Sequence, residues 1–298
     1  MDSRNCGTEA PLVSVAMAMR DAAHSVPAAL ASLRLQTYRR WELILVDDGS
    51  VDEGVKVARK FQDPRIRLFV DGARRGLPVR LNQAVDLARG ELLARMDADD
   101  VSYPQRFARQ VEFLQSNPQV SLVGSAATVF KGDGVPVGLF EIRERHAEIC
   151  ARPWSGFRLP HPTWMGRTRW FRANRYLERN VKSEDQELLL STHESSQFAA
   201  LAEPLLGYRQ DQIELRKVLR SRLSYSGALL RYSLARHMPF FALRGMAGQL
   251  AKAAFDALAI ASRMEGRLLA HRARPLPADA IERWRDVWRL TAEEVERL

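Results

Sequence analysis

The chain has 298 residues, 46% of them hydrophobic and 27% charged, with a formal net charge of +9. That balance supplies a globular core and excludes a disordered or fibrous chain, and the length fits one large α/β domain or a domain with a helical appendix. Two cysteines, Cys6 and Cys150, far apart and without metal-ligand spacing, argue against a disulfide framework and for a reducing compartment.

The opening MDSRNCGTEAP is polar, so no secretory leader is expected. From there, LVSVAM (12–17), LILV (43–46), IRLFV (66–70) and ELLARM (91–96) read as short buried strands. VPAALASLRLQ (26–36), VDEGVKVARKF (51–61) and VRLNQAVDLA (79–88) have helical spacing of apolar residues between them. Strand and helix alternating at this rhythm predict right-handed βαβ units and a mainly parallel sheet flanked by helices. A helix is expected from Pro104, with Ser102 as its cap. From about 120 to 212 the pattern changes to short β-like pieces, VSLVGSAATVF, FAAL and PLLGYR, around a few helices. Everything after Tyr208 reads as helix: an amphipathic basic stretch from Ile213 to about Arg274, broken at Pro239, and a separate terminal helix after Pro275 and Pro277. No repeat or low-complexity segment occurs, and no run of 18 apolar residues; the best stretch, 245–262, is interrupted by Lys252 and Asp256, so no transmembrane helix is expected.

Charge is unevenly placed. Between Arg209 and Arg274 there are thirteen Lys or Arg against four Asp or Glu, equal to the whole positive excess of the chain. Such a block suits an anionic partner, a membrane surface or nucleic acid, or is simply a solvated helical face.

Ligands of parallel α/β sheets bind beyond the carboxyl ends of the strands, and two predicted ends carry acids. VDDGS puts Asp47 and Asp48 at a strand-to-helix turn, suited to hydrogen bonds from a base or ribose, or to an Asx-turn with Ser50 capping the next helix. DADD is more demanding, because two like charges about 4 Å apart repel by roughly 4 kcal/mol near a protein surface. Asp97 and Asp99 spaced i, i+2 can aim one carboxylate at Mg²⁺ or Mn²⁺ and the other at a sugar; otherwise the acids form a solvated turn. SEDQ offers Glu184 and Asp185 at a helix start, where Ser183 would cap and the acids favour the dipole. His161 in HPTWM lines an acceptor, touches a metal, or is a satisfied structural residue. Arg80, Arg95 and Arg106 are expected to form ion pairs within the protein.

PLVSVAMAMRDA, WELILVDDGSVDE and ARGELLARMDADDVSYPQR, followed by LPHPTWMGR and YLERNVKSEDQELLL, resemble glycosyltransferase family 2 over roughly residues 11–210. The resemblance implies the GT-A (Rossmann-like) fold in residues 1–212, with a donor half at about 11–118 and an acceptor half at about 119–212, and leaves 213–298 as a basic helical extension. It implies that Asp47 or Asp48 contacts the nucleoside, with Asp48 preferred for the base. Asp99 would bind Mn²⁺ or Mg²⁺ on the diphosphate, Asp97 would hold ribose or sugar hydroxyls and share the metal, and Asp185 would be the general base, with Glu184 the second choice. Asp100 is left as a local cap or ion-pair partner. The first loop reads AMRDA where the family commonly has Pro and Asn, so Asp21 replaces an amide at the nucleotide contact. The Q-x-x-R-W motif of processive members is absent, and one sugar per encounter is expected.

The implied function is a metal-dependent inverting glycosyltransferase, cytoplasmic, moving one sugar from a UDP-, dTDP- or GDP-sugar to a glycan or lipid-linked acceptor in cell-surface polysaccharide synthesis. Its basic tail would rest on the inner face of the membrane, with Tyr225, Phe240 and Phe241 at the interface, or would pack as helices against the catalytic domain or a twin subunit. The alternatives are a nucleotidyltransferase or other nucleotide-binding protein of similar fold, which should carry a Gly-rich loop near the start, and a non-catalytic basic protein binding nucleic acid or a membrane surface. A nucleic-acid binder needs aromatic stacking or a groove-reading motif, and none occurs.

Overall fold

A computed structural model describes residues 10–179, 182–211, 214–262 and 273–297. Its first half is built as the apolar runs require. Strands β1 (Val13–Met19), β2 (Trp41–Asp47), β3 (Ile66–Phe69) and β4 (Leu92–Arg95) pair in parallel in the order β3-β2-β1-β4. Helices α1 (Val26–Arg34), α2 (Gly54–Lys60) and α3 (Leu77–Leu87) make the crossovers. Alternate residues of these strands enter different cores, as the two-residue period of a strand dictates. Val13, Val15, Met17, Leu43, Leu45 and Ala94 pack in one, with α1. Ala16, Ile44, Val46 and Leu93 pack in the other, with α3. Two buried faces per strand explain why these segments read as unbroken apolar runs.

Beyond β4 the sheet becomes mixed. After β5 (Val101–Ser102) and α4 (Arg106–Ser116) come β6 (Leu122–Lys131), β7 (Val135–Phe140), α5 (His146–Ile149), β8 (Met165–Arg167), α6 (Thr168–Ala173), α7 (Glu184–Thr192) and β9 (Phe198–Arg209). Strand β8 joins the halves, antiparallel to both β4 and β6, while β9 runs parallel to β6 and holds β5 on its other edge. FAAL and PLLGYR, read as separate pieces, are one strand, whose register slips near Pro204, the residue that cannot donate to the ladder. The helix expected from Pro104 starts at Arg106, and Ser102 is a strand residue: its N–H is taken by Ser32 Oγ at 3.0 Å and its Oγ accepts from Gln36.

Among the described residues, the C-terminal region is mainly helical. Helices α8 (Leu215–Ala235) and α9 (Pro239–Ala261) form a hairpin that breaks before Pro239, as expected. Residues Ala273–Arg274, expected in a helix, are instead a short strand, β10, antiparallel to β7; residues 263–272 of the expected helix lie outside the described residues. The last helix, α10 (Ala278–Glu296), lies back on the α/β region against α1, with Arg34 Nε 3.2 Å from Glu294. Its Trp284 is fully buried among Val101, Tyr103 and Phe130 and donates from Nε1 to Gly134 O at 2.7 Å. Of three aromatic residues expected at an interface, only Phe240 is exposed. Tyr225 is buried, its hydroxyl donating to Pro153 O, and Phe241 is partly buried against Trp154 and Tyr232. No described helix is long and apolar enough to cross a membrane.

Candidate active site

The carboxyl ends of β1, β2 and β4 converge, and each delivers acids. Asp47, 1% exposed, accepts from Gly49 N–H and Ser50 N–H at 3.1 and 3.2 Å and from the Ser50 hydroxyl, which closes an Asx-turn. Gly49, at φ +71°, supplies the left-handed residue the turn needs. Ser50 does not cap α2, which starts four residues later with Glu53 at its cap position. Asp21 also has a left-handed backbone, φ +49°, and locks onto the same turn: its Oδ1 accepts from Val51 N–H at 2.9 Å and its N–H donates to Ser50 Oγ at 3.0 Å. Asp48 gathers the loop before α3, accepting from Arg75 N–H, Gly76 N–H and Arg80 Nε at 2.7, 2.9 and 3.1 Å. The Arg80 guanidinium, 1% exposed, also pairs with Asp71, as expected of it. Asp21, Asp47 and Asp48 thus form one interlocked rim at the mouth of β1 and β2.

The DADD acids sit beyond β4. Carboxylate oxygens of Asp97, Asp99 and Asp100 lie within 4.8 Å of one another. Asp97 is held on both oxygens by Arg95, which is 3% exposed, with Nη1 2.6 Å from Oδ2. Asp100 is neither a cap nor an ion-pair partner. Its Oδ1 accepts from Arg209 N–H at 3.0 Å, and its buried Oδ2 has no hydrogen-bond partner. Asp99 is exposed as a residue, yet its carboxyl lies against the other two. Burial, then the Asp97 charge, pushes it up to about 6, and burial with the Asp99 and Asp97 charges raises Asp100 well above the carboxylate range. An oxygen-only donor set with one orphaned buried oxygen, and with Asp99 and Asp100 raised by burial and neighbouring charge, fits a hard divalent cation. Arg106, expected to form an ion pair, instead donates to Arg95 O at 2.7 Å and to Gln110 Oε1, bracing the strand end from beneath.

A cleft of about 880 Å³ opens in front of this cluster, lined by Arg95, Asp97, His161, Glu184 and Asp185 among others. An adjoining one of about 660 Å³ contains Asp99, Arg209 and Lys217, and the two share Gln186, Tyr208 and Arg222. Glu184 and Asp185 begin α7. Ser183 stands at the cap position but makes no capping hydrogen bond with its side chain; its hydroxyl donates to Ser224 Oγ at 3.0 Å. Asp185 Oδ2 accepts from Gln186 Nε2 at 3.1 Å, and Gln186 in turn accepts from Phe157 N–H at 2.7 Å. Glu184 is 8% exposed, and its Oε2 is buried without a hydrogen-bond partner. Burial, then the Asp185 charge, raises Glu184 to about 7, and burial raises Asp185. His161 is nearly buried, its Nε2 2.8 Å from the Tyr176 hydroxyl and its ring against Trp164; burial and Arg95 hold it well below its usual value, so it is neutral at pH 7. It lines the cleft but is not one of the metal-spaced acids.

Sequence reading found both acid sets and missed what organises them. Arg209 lies more than a hundred residues from DADD, and only the long β9 strand brings its backbone to Asp100 and its Nε to within 3.1 Å of Asp99 O. Arg222, Gln249 and Lys252, from the helical hairpin, also line the clefts, and no motif marks them.

The acid pair makes stability depend on pH. A carboxyl whose value rises from about 4.3 unfolded to about 7 folded favours the native state below about pH 4, and that advantage is lost as pH climbs through 7. Glu184→Gln is therefore expected to melt like the wild type near pH 4 and to be more stable at pH 8, by up to roughly 3 kcal/mol. Thermal melts at the two pH values check this; a difference independent of pH would refute it.

Comparison with known proteins gives the chain a family. Residues 14–175 match the family model for Glycosyl transferase family 2. Over 237 residues the chain is 30% identical to the putative glycosyltransferase EpsE of Bacillus subtilis (strain 168), covering 76% of this chain and 83% of that protein. Over 106 residues it is 32% identical to the UDP-Glc:alpha-D-GlcNAc-diphosphoundecaprenol beta-1,3-glucosyltransferase WfgD of Escherichia coli, covering 36% of this chain and 42% of that protein. Among solved structures, S. aureus TarS 1-349 in complex with UDP-GlcNAc superposes with a TM-score of 0.57 at 18% identity, over 95% of this chain and 92% of that one. The mannosyltransferase PcManGT from Pyrobaculum calidifontis, in complex with GDP-Man and Mn²⁺, gives 0.56 at 18% identity, over 97% and 87%. At such identities these two structures establish the fold alone. The family match and the curated relatives establish more: the chain belongs to glycosyltransferase family 2, with the GT-A fold, and is a glycosyltransferase.

Proposed function

We propose that the chain transfers one sugar, with inversion and metal dependence, from a nucleotide-sugar donor to a hydroxyl of a glycan or lipid-linked acceptor in cell-surface polysaccharide synthesis. One observation carries this reading: Asp97 of the DADD cluster and the Glu184–Asp185 pair line the same cleft of a family 2 fold. The relative acting on a diphosphoundecaprenol-linked sugar supports a lipid-linked acceptor, and neighbours in fold that hold UDP-GlcNAc and GDP-Man support a nucleotide-sugar donor.

In this reading the rim of Asp21, Asp47 and Asp48 receives the nucleoside, with Asp48 beneath the base. Asp99 is the principal ligand of Mn²⁺ or Mg²⁺, with Asp97 shared between the metal and the donor's hydroxyls. The bound ion would supply positive charge to the diphosphate as the bond to the sugar breaks. Arg95 fixes the Asp97 carboxylate by gripping both its oxygens, which removes orientational freedom before donor arrives. Asp185 accepts the proton of the acceptor hydroxyl. It is more accessible than Glu184, and the hydrogen bond from Gln186 orients it. Glu184, raised to about 7, shares the pair's charge, so that one negative charge rather than two faces the incoming hydroxyl. A base on the acceptor side gives in-line attack and inversion without a covalent intermediate.

The test separates the two acids. Asp185→Asn is expected to lower turnover by about two to three orders of magnitude while leaving calorimetric binding of nucleotide sugar and Mn²⁺ intact. Glu184→Gln should cost less than about tenfold. Loss of donor binding in Asp185→Asn would assign it to the donor, and the reverse ranking of the two variants would make Glu184 the base.

A further inference from the structure

The helical hairpin of α8 and α9 carries a surface that sugar transfer does not use. Its inner side is fully engaged. Tyr225, Ala228 and Leu229 of α8 and Ala242 of α9 are buried, Leu229 packs close against Gly245, Arg231 pairs with Glu187 at 2.6 Å, and Lys252 donates to Ser155 O at 2.8 Å. The outer side is apolar. Leu223 and Leu234 of α8 and Phe240, Leu243, Leu250 and Leu258 of α9 are each 66–83% exposed. At 3.6 residues per turn, the four on α9 fall within about a quarter of its circumference. Single exposed leucines are ordinary, but a stripe along one hairpin marks a surface that meets something apolar.

Charge decides what it meets. From Glu214 to Ser262 there are eight Lys or Arg against two acids. Arg216 and Arg220 are exposed and have no carboxylate partner among the described residues, and Arg244 lies 4.1 Å over the Trp154 ring. Two copies meeting through this face would bring like charges together. Nucleic acid would match the arginines and leave the apolar stripe in water. An anionic bilayer satisfies both, because an interfacial helix buries its apolar face at the headgroup–acyl boundary while its arginines meet lipid phosphates. Neither helix is long and apolar enough to span the membrane, so the hairpin lies on it.

We propose that the α8–α9 hairpin docks the enzyme on an anionic lipid surface, with Leu243 and Leu250 inserted and Arg216 and Arg220 on the phosphates. The same hairpin contributes Arg222, Gln249, Lys252 and Phe255 to the walls of the two clefts, so docking sets their mouths beside the lipid. This surface goes beyond the residue roles proposed above, and its test uses no substrate.

Full-length protein is co-sedimented with vesicles of phosphatidylcholine alone or mixed with phosphatidylglycerol. Binding is expected to the mixed vesicles, at least about tenfold above that to phosphatidylcholine alone. Leu243→Glu/Leu250→Glu should lose it by about tenfold or more with circular dichroism unchanged, and Arg216→Glu/Arg220→Glu should abolish the preference for phosphatidylglycerol. Wild-type binding by both double variants, or no sedimentation of the wild type with either vesicle, overturns the proposal. So does a wild-type dimer in analytical ultracentrifugation that Leu243→Glu/Leu250→Glu dissociates without lipid, which would give the face to a second copy. A salt-sensitive shift of DNA by protein that ignores vesicles would give it to nucleic acid.

Discussion

Replacing Asp99 with alanine should lower sugar transfer by about three orders of magnitude or more, and leave the melting temperature at or slightly above that of the wild type. The two halves of this result have one cause. Asp99 is held up to about 6 by burial and by the neighbouring Asp97 charge, so without a cation it opposes the folded state, and removing it relieves repulsion. In the proposed reading, its carboxylate becomes useful only with a cation. Asp97→Ala should behave differently although it lies two residues away. It strips the partner from Arg95, a guanidinium 3% exposed, and an uncompensated buried charge costs about 3–5 kcal/mol. The pair of variants, measured by donor turnover and thermal melting, should therefore separate: both inactive, only Asp97→Ala unstable. Wild-type turnover in Asp99→Ala would end the metal assignment.

A comparable loss of stability is expected from the terminal helix. Trp284→Ala should destabilise the protein by about 3–5 kcal/mol in urea titration, a large share of the roughly 5–15 kcal/mol that holds a typical domain together. The indole fills a space that the surrounding chain leaves for it. A Cβ built on Gly207 would come within 2.2 Å of the ring and one on Gly134 within 2.3 Å of Trp288, so two glycines admit two tryptophans. Truncation also orphans the Gly134 carbonyl that Nε1 satisfies. A change under about 1 kcal/mol would mean that the hairpin of β6 and β7 collapses onto the gap, or that α10 contributes little to the folded state.

The first 118 residues were legible because their physics is local. A parallel strand buried on both faces is a continuous apolar run, and LILV, ELLARM and LVSVAM are such runs; DADD and VDDGS announce themselves by crowding charge where such runs stop. Residues 119–212 obey longer-range rules. Strand β9 reads as two fragments because Pro204 interrupts its pattern, and only pairing with β6 shows it to be one element. Arg209 reaches Asp100 through that pairing, across 109 positions of sequence. The terminal helix read correctly as a helix, but nothing in ADAIERWRDVWRL says that its tryptophan belongs in the core of a domain that begins before residue 20. Tyr225 and Phe241 were misplaced for a related reason: periodicity identifies the apolar faces of a helix, not which of two faces finds a partner.

The docking of α10 also sets an order of events during synthesis. Val101, next to Asp100, pairs with Gly207 two positions before Arg209, and Trp284 covers that junction. At roughly 5–20 residues per second, the ribosome adds Trp284 about 4–15 s after Arg209. Throughout that interval every proposed catalytic residue has been made, yet the ridge that fixes Asp100 against β9 is missing its keystone. A chain ending at residue 277 should therefore transfer sugar more slowly than one carrying α10, although both hold every proposed catalytic residue; equal rates would separate the Trp284 packing from the site.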